Sequence, residues 1–144
     1  MLYTASFTGI PVRFAKGPEQ AKAPFLVVDD LVAAIGSCLK AVPEANRRRM
    51  IEGPISKLVD GRDKDRVALE EDGHTTIKAT VSSYQVVAMM QAFAILERNL
   101  QPQFQMIAKD VDEFRAWFAH ELGQAQNALG YTFEGFWEGC AALV

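Results

Sequence analysis

Residues 82–99 read SSYQVVAMMQAFAILERN, and how the rest of the chain is arranged depends on what this stretch forms. Ser82 is a good helix N-cap, and Gln85 three residues later completes a capping box. Val81 and Val86 fall at the N′ and N4 positions of a hydrophobic staple. From Val86 to Leu96 only Gln91 interrupts an apolar run. A helix apolar on nearly all sides is buried on nearly all sides, so the stretch predicts a central helix beneath a sheet or between other helices. Its apolar run is too short for a membrane span.

Working outward, Thr75, Ile77, Ala79 and Val81 alternate with Thr76, Lys78 and Thr80 ahead of that helix. This predicts a strand, paired with Val67–Glu70 across the hairpin dipeptide Asp72-Gly73. The charged stretch from Ser56 to Asp65 reads as a loop. Pro43 suits the first turn of a short helix running to about Glu52. Further back, Asp29 or Asp30 is expected to cap a short helix in which Leu31, Ala34 and Ile35 share a face, with Gly36 as its stop. Pro24–Val28 reads as a short strand, and Leu2–Phe14 as a hairpin turning at Thr8-Gly9. Beyond the central helix, Gln101-Pro102 breaks the chain. Asp110 is expected to cap a second long helix ending at Gly130, with Val111, Phe114, Phe118, Leu122, Ala125 and Leu129 on one stripe and Trp117 beside it.

This order predicts an α+β fold: a small antiparallel sheet of β-hairpins packed with short helices and two long C-terminal helices. Residues 1–100 form the expected α+β domain. Residues 101–144 add an amphipathic helix and an aromatic tail, packed on that domain or on a dimer partner. With 144 residues, 15 basic and 18 acidic, the net charge is −3. That weighs against nucleic-acid binding by the whole surface and leaves a local patch open. The N-terminus lacks the order of a secretory signal, and Cys38 and Cys140 stand in no metal or redox spacing. A cytoplasmic protein with reduced thiols is expected.

The first third of the chain resembles the N-terminal domain of the baculovirus repeated-ORF family, the BRO-N domain also found in phage antirepressors. Phe7, Gly9, Val12 and Arg13 match its aromatic-x-Gly hairpin followed by Val-Arg. Phe25, Leu26, Val27 and Val28 match its aromatic strand, and Asp30, Leu31, Ala34, Ile35 and Gly36 the segment that follows. The later order is also similar, through a basic short helix, a hairpin, and a helix introduced by Ser-x-Tyr-x-Val. Two positions depart from the pattern: Phe25 stands for the usual tryptophan, and no glutamate precedes the central helix near Val81. The resemblance spans roughly residues 5–98. It implies a DNA-binding regulatory protein of phage or prophage type, acting on double-stranded DNA.

The local charge feature that fits this reading lies at residues 47–66. Arg47, Arg48, Arg49, Lys57, Arg62, Lys64 and Arg66 stand there against Glu52, Asp60, Asp63 and Asp65. Guanidinium groups bind phosphate bidentately, so these seven cations are the candidate DNA contacts. The bland alternative is a solvated face of ion pairs. Phe114, Trp117, Phe118, Phe136 and Trp137 are read as surplus to a core already supplied by residues 86–96, and a homodimer interface is expected there. A protein-interaction module acting through this aromatic segment is the rival reading. His74 and His120 have no ligand spacing, Ser82-Ser83 is explained by capping, and no P-loop or dinucleotide turn occurs. No catalytic residue, metal or cofactor is expected.

Overall fold

The computed structural model describes residues 2–49, 51, 64–88, 90 and 111–132. It has an α+β architecture built on a five-stranded antiparallel sheet of order β1-β2-β3-β5-β4. The strands are β1 (Leu2–Phe7), β2 (Ile10–Ala15), β3 (Phe25–Val27), β4 (Lys64–Glu71) and β5 (His74–Ser82). Two helices pack on it, α1 (Val28–Cys38) and α2 (Asp112–Ala128). Residues 44–49 and 83–88 are also helical.

Both expected hairpins form. Thr8-Gly9 and Asp72-Gly73 each carry two successive positive φ angles, 48° and 85°, then 51° and 78°. This is the two-residue turn whose twist matches that of the flanking strands, and glycine takes its second position without steric cost. β4 begins at Lys64, so Lys64 and Asp65 belong to a strand where a loop was expected. The remainder of that loop, 56–63, lies outside the described residues.

β3 is three residues long, and this sets the shape of the molecule. It pairs with β2 through Leu26–Phe14 and Phe25–Ala15, and with β5 through Phe25–Ser82, Leu26–Val81 and Val27–Thr80. The chain then turns directly into α1 at Val28. Both hairpins therefore run on past the end of β3 as two arms, and the first turn of α1 lies at the head of the gap between them.

Phe7, Val12, Phe14, Leu26, Leu31, Ile35, Val81, Val86, Phe114, Phe118 and Leu122 belong to one core shared by sheet, α1 and α2. The C-terminal helix is thus part of the same packed unit as the sheet and α1. Its whole expected stripe, Val111 to Leu129, is buried. Tyr3 Oη donates to Glu121 Oε2 at 2.7 Å, and Trp117 Nε1–H donates to the Ser6 carbonyl at 3.0 Å, docking α2 on β1. Gly130 (φ 80°) ends it as expected. The Tyr131 and Gly130 N–H groups donate to the Gln126 and Asn127 carbonyls, satisfying the last turn.

Several local expectations are corrected. Neither Asp29 nor Asp30 caps α1; the N-cap is Val27, with no side-chain cap, because both carboxylates are drawn to cations on other elements. Gly36 lies inside α1, which continues to Cys38. Pro43 immediately precedes helical residues 44–49, its carbonyl accepting from the Asn46 and Arg47 N–H groups. In the part of β5 that projects past β3 the apolar set of the alternation faces outward: Ile77 is 67% exposed, whereas Thr76 and Lys78 are half-buried. The central helix starts as expected, with the Tyr84 N–H donating to Ser82 Oγ at 3.3 Å and Val86 and Met90 buried. Residues 91–99, and the expected cap Asp110, lie outside the described residues.

Candidate functional site

Arg13 stands near the middle of β2, opposite Thr4, in a strand otherwise apolar. Its side chain is 20% exposed. Nε donates to Asp30 Oδ2 at 2.8 Å and Nη2 to Oδ1 at 2.9 Å, a bidentate pair. The Arg13 backbone N–H donates to the same carboxylate at 3.0 Å. Nη1 reaches across to Glu71 Oε1 at the tip of β4, at 2.5 Å. One guanidinium thus joins both hairpin arms to the first turn of α1. The paired carboxylates raise the pKa of Arg13, so it stays charged at all working pH.

Asp29 makes the second half of this charged seam. Its Oδ1 accepts from Arg48 Nη2 at 2.8 Å and its Oδ2 from Lys78 Nζ at 3.3 Å. The Arg48 bond, then that of Lys78, holds the Asp29 carboxyl below its usual range. Arg13 does the same for Glu71. Both aspartates also sit in the first turn of α1, where the helix dipole favours negative charge. The seam joins α1, β2, β4, β5 and residues 44–49. Sequence reasoning missed it as a unit. The signal was present in Arg13 and Lys78, two long cations inside strands whose neighbours are apolar or β-branched.

The seven candidate DNA contacts are distributed by this framework. Arg47 is half-buried, and its Nε–H donates to the Val42 carbonyl at 2.9 Å. Arg48 is engaged by Asp29 while its side chain remains 57% exposed. Arg49 is exposed at the end of helical residues 44–49. Lys64 and Arg66 are exposed on β4, opposite Val81 and Ala79. Directly paired residues share a face, so Arg66 projects from the opposite side of the β4–β5 arm to Lys78. Arg48 and Lys78 converge on Asp29, so the sheet separates Arg66 from the arginine helix. Lys57 and Arg62 lie outside the described residues.

Of the expected dimer residues, Phe114 and Phe118 are buried in the chain's own core. Phe114 packs edge-on to Phe7 at 5.3 Å between centroids, and Phe118 stacks with Phe14 at 6.3 Å. Trp117 packs on Phe7 and Phe114. Phe114 and Phe118 are taken up inside the chain because the sheet presents them an apolar face that includes Phe7 and Phe14. Phe136 and Trp137 lie outside the described residues. Among the described residues, no helix is long and apolar enough to cross a membrane. No protein-family profile, curated protein or solved structure matches the chain.

Proposed function

We propose that the chain is a DNA-binding regulatory protein of the kind its resemblance to the BRO-N domain of phage antirepressors implies. Helical residues 44–49 supply its phosphate contacts. The observation that carries this reading is the arginine run itself. Arg49 is exposed and Arg48 largely so, on a segment whose position is set by Arg47 at Val42 and by Arg48 at Asp29. Arg48 stays 57% exposed beside Asp29, and an exposed guanidinium is a ready partner for a phosphate oxygen.

The test is a fluorescence anisotropy titration with mixed-sequence duplexes over a salt series. Each phosphate contact removed should reduce the slope of log K against log salt by about 0.9. Arg49→Ala and Arg48→Ala should each weaken binding similarly for all duplex sequences, because phosphate contacts position without reading bases. Arg47→Ala should act mainly on stability, since its donor is used within the chain. A salt slope unchanged in the Arg48, Arg49 double variant would refute the assignment.

A further inference from the structure

The described sheet ends on β1 at one side and on β4 at the other, and the two edges differ. In a two-residue hairpin the closing residues exchange hydrogen bonds, and bonded pairs then alternate with non-bonded ones. On β1 this turns the Ser6 carbonyl off the edge, where Trp117 Nε1–H covers it. By the same count, the backbone N–H and C=O groups of Lys64, Arg66, Ala68 and Glu70 point away from β5. All four residues are exposed. An eight-residue strand with its outward groups presented in this way is a template for another strand.

We infer that β4 pairs antiparallel with β4 of a second copy of the chain, about a twofold axis through Ala68. Outward-pointing groups must meet outward-pointing groups, which excludes every register displaced by one residue. The Ala68-centred register places Arg66 opposite Glu70 of the partner subunit, and the symmetry repeats that ion pair on the other side. Val67 then lies opposite the partner's Leu69 on the reverse face. Centring on Val67 instead would set Asp65 against the partner's Leu69. Asp65 and the partner's Glu71 do face each other in the chosen register, on the side where Arg13 already holds Glu71.

The same pairing accounts for Ile77. It sits directly opposite Ala68 within the hairpin, on the face carrying Arg66 and Glu70. In the dimer, Ile77, Ala68 and their symmetry mates form one continuous apolar strip flanked by the two ion pairs. A single strand edge buries little area, so association is weak and concentration-dependent. Arg66 serves the partner's Glu70, leaving phosphate contact to Arg48 and Arg49. The inference stands independently of DNA binding.

Sedimentation velocity of the full chain over a micromolar-to-millimolar series tests it. The wild type should shift from monomer to dimer. Arg66→Glu and Glu70→Arg should each suppress the shift by setting like charges opposite one another, and the double exchange should restore it. Ala68→Cys should give a disulfide-linked dimer, mapped to residue 68 of both chains, because Cα atoms of a hydrogen-bonded antiparallel pair lie about 5.5 Å apart. A wild type that stays monomeric throughout would overturn the inference. So would a dimer indifferent to both single exchanges, or one that yields no 68–68 bond.

Discussion

At the scale of single residues, Asp30 shows most directly how a short sequence element is decided from a distance. Locally it is a capping residue at a helix start. In the folded chain its carboxylate accepts three bonds from Arg13, two from the guanidinium and one from the backbone. Replacing one partner of a largely desolvated charged pair strands the other, which costs more than the pair itself contributes. Asp30→Asn keeps the shape and removes the charge. It should destabilise the protein by about 2–3 kcal/mol, discounted from the fully buried case because Arg13 keeps some solvent contact. Urea melts would measure this, and a loss near zero would show that solvent replaces the pair at no cost. The four-residue span Val27–Asp30 does not reveal this role, because the deciding cation stands on β2.

At the scale of elements, α2 is the clearest test of packing. Phe114 is fully buried and touches Phe7, Trp117 and Phe118 by ring contacts. Phe114→Ala should therefore cost about 3–5 kcal/mol through lost transfer energy and the cavity left behind. A melt showing under about 1 kcal/mol would mean that α2 is not part of the main core. This helix was legible in the sequence, since its stripe and its Gly130 stop are local patterns that the fold uses as they stand. The hairpins were legible for the same reason, through Thr8-Gly9 and Asp72-Gly73. The face of β5 was not. Alternation identifies two faces, but which one is covered depends on β3 ending at Val27, so that Ile77 lies beyond the neighbouring strand. The aromatic helix was likewise read as an interface because the sequence alone did not show how much apolar sheet face awaited cover. Of the candidate site, Arg47, Arg48 and Arg49 were visible as a run, but their unequal availability follows from Val42 and Asp29.

At the scale of the whole molecule, the charged seam should make stability sensitive to acid. Asp29 and Glu71 both have pKa values lowered by folding. Their contribution is therefore complete above the ordinary carboxylate range, about pH 4, and is lost as pH falls below it through the depressed folded values. Thermal melts between neutral pH and about pH 3 should show this loss, and Asp29→Asn should make it smaller. An acid response identical in wild type and variant would place the sensitivity elsewhere.

The net charge of −3 also bears on function, because a generally acidic chain binds DNA only where cations are segregated. The most direct test of the account is an anisotropy titration of the full chain, shown to be folded by circular dichroism, with a mixed-sequence duplex at low and then rising salt. Binding in the range of about 1–100 micromolar at physiological salt, weakening linearly in log K against log salt, is the predicted result. No anisotropy change at the lowest salt with the protein folded would contradict it.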